Sequence, residues 1–272
     1  MAINKNLGEI GELLLKAKLL ECMKAGASIK PLSVPITTLH LGDFKSARGF
    51  YSTRASCPSL EALTMLSRCN YSELENKLGP LGIVKAGTSM KADVKINGVG
   101  YSIKSSSNRP AIINHTYRKG FLRITNQLRI TIKPLDDEIE KYWHLRLEGK
   151  NNFGEDASGQ TRRNAEVFIS NSFKQYFRPI FNHFAFIGTG RSDSPEPAKY
   201  VLVFDDPTDH ATWRIIDRDS FYDMVWPDLV FSMRDKLSKG QRLSLSTMDE
   251  MDKPWAKVSR NKLQAQLHVR AG

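Results

Sequence analysis

One acidic and one basic residue flank a predicted β-turn at a spacing that suits chemistry on phosphate. Asp93 precedes the turn, and Ser102 and Lys104 follow it, in the pattern Asp-x8-Ser-x-Lys. A carboxylate binds a hard divalent cation such as Mg²⁺, which keeps several waters and needs few protein ligands. The cation activates water and stabilises charge on a phosphate, and a nearby lysine can orient or deprotonate that water. The three residues therefore predict a cation-and-phosphate site, provided that the fold brings them together.

A β-hairpin over residues 90–107 would bring the three side chains together. Apolar and polar residues alternate on both sides of Asn97-Gly98. Asn-Gly between two alternating runs is the strongest short-range hairpin signal. A two-residue turn predicts the register in which Val94 lies opposite Tyr101.

The same register assigns the faces of the hairpin. Directly opposed residues project to the same side of a strand pair, and side chains alternate along each strand. Asp93, Ser102 and Lys104 are therefore predicted to share one face, with Lys91 opposite Lys104. The other face is predicted to be apolar and to pack on the core, through Ala92, Val94, Ile96, Val99, Tyr101 and Ile103.

The segments around the hairpin predict a mixed α/β fold. Apolar residues at helical spacing over 7–23, followed by Gly26, predict a helix at the N-terminal end. Residues 199–204 are predicted to form a buried strand that pairs with 212–216. Helices at both ends around short strands indicate an α/β domain.

The C-terminal third gives two further predictions. Residues 220–235 are predicted to form a helix interrupted by Pro227, and the alternating tail beyond 243 to form two strands of a closing hairpin. The length of 272 residues fits a single domain over 1–272. The polar stretch 149–163 is predicted to be a mobile loop or an insertion.

The charge distribution favours a polyanionic partner. Lys and Arg number 40 against 29 Asp and Glu, which gives a net charge of +11. The stretches 94–135 and 253–272 contain no acidic residue. Two acid-free basic stretches suit a groove that neutralises phosphates. A solvated basic face without a partner is the alternative interpretation.

Other sequence features favour a cytoplasmic protein. No apolar run approaches the roughly 18 residues that a membrane span needs. The three cysteines form no Cys-x-x-Cys pair, so we expect reduced thiols rather than a disulfide or a zinc site.

The Asp93–Lys104 pattern resembles the signature of the PD-(D/E)xK nucleases, with Ser102 where that family has Asp or Glu. The MspI-like subgroup of type II restriction endonucleases also departs from the signature there, with an amide side chain at that position. The similarity continues through Lys91-Ala92-Asp93, the Ser-rich basic stretch 105–109, Glu12 in the first helix and the basic tail. The resemblance implies a mixed central sheet flanked by helices in a restriction-endonuclease-like core, with Mg²⁺ as cofactor.

The resemblance also implies roles for individual residues. Asp93 would be the main metal ligand, helped by the Ile103 carbonyl, and Lys104 the catalytic lysine. Ser102 would hold a water or hydrogen-bond a neighbour. Glu12 would supply the missing second acid, unless it forms an ordinary i,i+4 pair with Lys16.

Predicted DNA contacts come from the basic stretches and from the C-terminal segment 240–272. Arginine suits guanine, asparagine and glutamine suit adenine, and basic side chains bind phosphates. The candidates are Lys91, Ser105, Ser106, Asn108, Arg109, Asn114, His115, Arg118, Lys119, Arg191, Arg260, Lys262, Gln264 and Gln266.

These observations favour a type II restriction endonuclease that cuts double-stranded DNA as a monomer or homodimer. The host would then need a DNA methyltransferase that protects the same site. Two alternatives are open: a repair or junction-resolving nuclease of the same fold, and a DNA-binding module without enzymatic activity.

Overall fold

The computed structural model describes most of the chain, namely residues 7–32, 34–54, 58–107, 111–147, 167–235, 244–259 and 261–271. The predicted loop at 149–163 lies outside the described residues, as do 240–243, 260 and 272 of the C-terminal segment. The chain divides into two compact units, Met1–Asn108 with Asp193–Phe221 and Arg109–Ser192 with Tyr222–Gly272. The sequence-based assignment of one domain stays a prediction.

Helices and strands alternate irregularly along the chain. The helices are α1 Leu7–Lys24, α2 Leu63–Leu66, α3 Tyr71–Leu78, α4 Arg118–Leu128, α5 Lys133–Leu147, α6 Asn171–Asn182 and α7 Arg218–Val225. The strands are β1 Thr38–His40, β2 Phe50–Ser52, β3 Val94–Ile96, β4 Val99–Ser105, β5 Ala111–Tyr117, β6 Tyr200–Phe204, β7 Arg214–Ile216, β8 Leu229–Arg234, β9 Lys257–Ser259, β10 Lys262–Gln264 and β11 Gln266–Ala271. None of the helices in these described segments combines the length and the apolar character needed to cross a membrane.

The first unit is built on a six-stranded mixed sheet. Its strand order is β2-β1-β3-β4-β6-β7. Strand β4 runs parallel to β6, and the other neighbouring pairs are antiparallel. The predicted strand over 199–204 and its antiparallel partner over 212–216 are confirmed as β6 and β7. The protein is therefore mixed α/β with a mixed central sheet flanked by helices, as predicted.

Helix α1 supplies much of the apolar core of this unit. Its buried leucines pack with Val94, Ile96, Tyr101 and Ile103 of the hairpin. The predicted helix over 7–23 is confirmed, and the chain leaves it through Gly26, whose φ is +62°. Residues 10–17 of α1 are all buried, so the helix is covered on several sides rather than on one face. This burial removes apolar surface from water and stabilises the helix and the sheet.

A glycine lets α1 approach the sheet closely. A Cβ atom built on Gly11 would lie 2.5 Å from the Phe204 ring of β6. No real Cβ atom makes so short a contact, so a larger side chain at position 11 would push the helix and the ring apart. Gly11 precedes Glu12, which the sequence predicts to be a site residue.

The second unit contains a three-stranded antiparallel sheet in the order β5-β11-β8. An aromatic cluster fills its core, and the Phe168 and Phe231 rings stack at 4.5 Å between centroids. Strands β9 and β10 form a separate two-stranded hairpin.

Two predictions for the C-terminal third are wrong in part. The helix predicted over 220–235 ends at Val225, and Leu229–Arg234 forms strand β8. A short apolar run does not distinguish a buried strand from a helix, and Pro227 marks the point where the helix has ended. The tail forms three strands rather than two, because β11 leaves the β9–β10 hairpin and pairs with β5 and β8.

Candidate active site

The hairpin that should position the site forms with the predicted register. Val94 lies opposite Tyr101, and Ile96 lies opposite Val99. Asn97 and Gly98 have φ angles of +51° and +79°, the left-handed conformation that a two-residue turn of this kind requires at both positions. The apolar face is buried as predicted, with Val99 only partly covered.

Asp93 lies directly before β3, and its carboxylate meets the residues predicted to share its face. The Oδ2 atom accepts a hydrogen bond from the Ile103 backbone N–H at 2.7 Å and from the Ser102 hydroxyl at 3.1 Å. The Lys104 ammonium lies 3.8 Å from the same oxygen. Three side chains predicted to converge therefore do so.

The Asp93–Lys104 pair remains accessible to solvent. The Asp93 side chain is 17% exposed and the Lys104 side chain 32%. The side-chain contacts of Asp93 all fall on Oδ2, and its backbone N–H donates to the Tyr101 carbonyl at 2.8 Å. No described residue hydrogen-bonds Oδ1. One carboxylate oxygen is thus held by the hairpin while the other can accept a further ligand.

Glu12 belongs to the same electrostatic cluster. Burial raises the pKa of its carboxyl above the ordinary value, the Lys16 ammonium opposes that rise, and the Asp93 carboxylate adds to it. Lys16 donates a hydrogen bond to Glu12 Oε1 at 2.6 Å. Glu12 therefore forms the i,i+4 pair with Lys16, and it also interacts electrostatically with Asp93. Its role as the second acid of the site stays a prediction.

Lys91 adds a third positive charge close to the site. Its pKa is lowered to about 8, mainly because the ammonium is desolvated and also because Lys104 repels it, while Asp93 acts in the opposite sense. The Lys91 backbone N–H donates to the Ser194 hydroxyl and to the Glu196 carbonyl, each at 3.0 Å. The segment before β3 is thus fixed to the chain that enters β6.

The donor set fits a hard cation that keeps most of its own water. Asp93 offers a carboxylate oxygen, and Glu12 lies nearby, so the protein ligands are oxygens, as Mg²⁺ prefers. The described residues include no cluster of three or more His, Cys, Asp or Glu side chains able to hold a metal. A cation here would depend on solvent and on a substrate phosphate for its remaining ligands. The Ile103 carbonyl stays a predicted ligand.

Ser102 acts on Asp93 through one hydrogen bond, which allows a limited prediction. Ser102→Ala removes the 3.1 Å bond from the hydroxyl but leaves the 2.7 Å bond from the Ile103 N–H. For the predicted nuclease, we expect the rate of DNA cleavage to fall by between about tenfold and 150-fold, because one neutral donor to a charged acceptor contributes about 1.5–3 kcal/mol. Single-turnover cleavage of duplex DNA measures this effect. A loss as large as that of an Asp93 variant would contradict the supporting role of Ser102.

The predicted DNA contacts are divided between the two units. The first unit contains Lys91, Ser105 and Ser106, close in sequence to the hairpin. Asn108, Arg109 and Arg260 lie outside the described residues. The second unit contains the other candidates, namely Asn114, His115, Arg118, Lys119, Arg191, Lys262, Gln264 and Gln266.

Two of the basic candidates are already paired within the second unit. Arg118 donates to both carboxylate oxygens of Asp136, at 2.9 and 2.7 Å. The Lys119 ammonium lies 2.5 Å from Asp249. In these pairs, the carboxylates compete with a DNA phosphate for the guanidinium and the ammonium group.

The polar candidates of the second unit differ in exposure. Asn114, Arg191 and Lys262 are exposed, whereas Gln264 and Gln266 are buried. His115 on β5 has a φ of +47°, and its ring lies 4.7 Å from that of His268 on β11.

The sequence predicts Lys16 only as a helical partner of Glu12, and it does not predict the burial of Lys16 or the second contact of its ammonium. The Lys16 side chain is fully buried, and its ammonium also donates to the Val84 carbonyl at 2.7 Å. Its position inside the apolar run Leu13-Leu14-Leu15-Lys16-Ala17 was the signal available, since a lysine flanked by core residues needs buried partners.

Comparison with protein-family models, curated proteins and solved structures finds no match to this chain. Its function is therefore inferred from the geometry and charges of the site. A carboxylate, the two partly buried lysines Lys91 and Lys104 and a buried glutamate–lysine pair lie on one hairpin and the neighbouring helix. Such a group suits binding and hydrolysis of a phosphate ester.

Proposed function

We propose that this protein is a Mg²⁺-dependent, sequence-specific endonuclease that hydrolyses phosphodiester bonds of double-stranded DNA, in the manner of a type II restriction enzyme. The observation that carries the proposal is the 3.8 Å approach of the Lys104 ammonium to Asp93 Oδ2 on one hairpin. A restriction-endonuclease-like core is part of the same proposal. The mixed sheet supports it, because the hairpin strand β4 lies in the sheet interior between β3 and β6.

Each residue of the site has a separate role in the proposed reaction. Asp93 would hold the cation, while Ile103 and Ser102 position its carboxylate through Oδ2. Lys104 orients the attacking water and stabilises negative charge that develops on the phosphate. Lys91 attracts the incoming phosphate. When bound, the cation supplies Lewis acidity toward the phosphate oxygens.

The charge of the chain supports DNA as the substrate. Strands β3 and β4 of the hairpin lie within the acid-free stretch 94–135, and the net charge is +11. A polyanion gains affinity for such a surface through the release of counterions, so binding is expected to weaken steeply with salt. Asp136 and Asp249 lower the positive charge that Arg118 and Lys119 offer to DNA.

Digestion of intact plasmid DNA tests the proposal. Purified protein with Mg²⁺ is expected to give discrete fragments, and sequencing of their ends should show one short site and one cut position. Excess EDTA should abolish cleavage. Cleavage of branched or mismatched DNA alone would favour the repair nuclease, whereas salt-dependent binding without cleavage under Mg²⁺ or Mn²⁺ would favour the DNA-binding module.

A further inference from the structure

A fully buried lysine lies beside the candidate metal site. The Lys16 side chain has 0% exposure, and its ammonium contacts Glu12 Oε1 at 2.6 Å and the Val84 carbonyl at 2.7 Å. Removing an ammonium from water is unfavourable unless charged and polar partners surround it. Glu12 and the Val84 carbonyl are such partners.

The surroundings of Lys16 are shaped to hold its ammonium. Gly42 has a φ of +113°, and a Cβ built there would lie 3.0 Å from Lys16 Nζ and 2.2 Å from the Val84 carbonyl. A residue with a side chain would therefore displace both. The Val84 N–H bonds to the Leu41 carbonyl at 3.2 Å, which fixes the two segments to each other. The backbone at Gly42 and Val84 thus leaves room for the Lys16 ammonium.

The lysine changes the charge that a divalent cation would meet. Glu12 pairs with Lys16 and Asp93 with Lys104. Lys91 interacts electrostatically with Asp93 and Lys104, so two carboxylates are accompanied by three ammonium groups. The neighbouring Glu9 and Lys85 pair with each other and add no net charge. Because the Glu12 charge is neutralised by Lys16, little of it is left to attract a second metal ion.

We propose that the Lys16 ammonium takes the place of a second divalent cation: it neutralises and positions Glu12, and so limits the site to one metal ion, held by Asp93. Lys16 is in this view a positioning residue, which acts on the metal site through Glu12. The inference rests on the proposed function, since it concerns the cation of that reaction.

Titration with Mn²⁺ alone, followed by electron paramagnetic resonance without DNA at mildly alkaline pH, tests the inference. Lys16→Gln is expected to raise the affinity for Mn²⁺ about tenfold or more, or to add a second bound ion, because it uncovers the Glu12 carboxylate. Lys18→Gln is the matched control, since Lys18 lies on the same helix and pairs with Glu21 at 2.9 Å. Unchanged or weaker Mn²⁺ binding by folded Lys16→Gln protein would overturn the inference.

A second variant covers the case in which Lys16→Gln does not fold. The double variant Glu12→Gln, Lys16→Gln replaces the ion pair by neutral groups of similar shape. Its Mn²⁺ affinity should stay within about threefold of wild type, because the pair it removes is neutral overall. A large loss of affinity, or two Mn²⁺ ions bound by the wild-type chain, would overturn the inference. Neither measurement uses DNA, so the proposed function can fail in the plasmid assay while this inference stands, and the reverse.

Discussion

Replacement of Lys104 by methionine is expected to lower the rate of DNA cleavage by about 10²–10⁴-fold. The substitution keeps an unbranched side chain that is shorter by one atom, and it removes the ammonium 3.8 Å from Asp93 Oδ2. A group that orients water or stabilises transition-state charge contributes mainly to the chemical step. Single-turnover cleavage of duplex DNA in Mg²⁺ therefore reports the loss directly.

Lys95→Met is the matched control for this experiment. Lys95 lies on the same hairpin but forms an ion pair with Glu196. We expect its variant to cleave DNA at close to the wild-type rate. Thermal unfolding of both variants separates a catalytic loss from a folding defect, because Lys104 is one-third exposed and its removal should change stability little. Cleavage by Lys104→Met at the wild-type rate would refute the assignment of the catalytic lysine.

Asp93→Asn should lower the cleavage rate by about 10²–10³-fold or more and abolish Mn²⁺ binding at the site. An asparagine can still accept from the Ile103 N–H and the Ser102 hydroxyl through its amide oxygen, so the hairpin should keep its shape. The negative charge that would hold the cation is lost. Cleavage assays and Mn²⁺ titration measure the two effects independently.

Asp217→Asn provides the control for the aspartate variant. Asp217 is an exposed residue of the same unit, and it accepts hydrogen bonds from the backbone of Asp219 and Ser220. Its variant should cut DNA and bind Mn²⁺ as the wild type does. If Asp93→Asn did the same, Asp93 would not be the metal ligand, and the proposed reaction would lose its central residue.

The local part of the site could be predicted from the sequence. Asn97-Gly98 between alternating runs determines the turn, and the turn determines which residues oppose each other. That register alone predicts that the side chains of Asp93, Ser102 and Lys104 lie close together. Helix α1 was equally predictable, because its apolar residues recur at helical spacing and Gly26 follows its end.

The parts that depend on distant contacts were not predictable in the same way. Strand β8 follows a proline within an apolar run, which suits a buried strand as well as a helix. This segment forms a strand because it pairs with β11. The burial of Lys16 depends on Val84 and Gly42, which are far away in the sequence. No local pattern specifies such a meeting.

The close approach at Gly11 links the packing of α1 to the chemistry beside it. Position 11 lies against the Phe204 ring and next to Glu12, so a bulkier residue there would displace either that ring or the helix that carries Glu12 and Lys16. In a library of random variants selected for DNA cleavage, we therefore expect almost no replacement of Gly11, although glycine has no functional group in its side chain. A purely structural glycine would then show the mutational profile of an active-site residue.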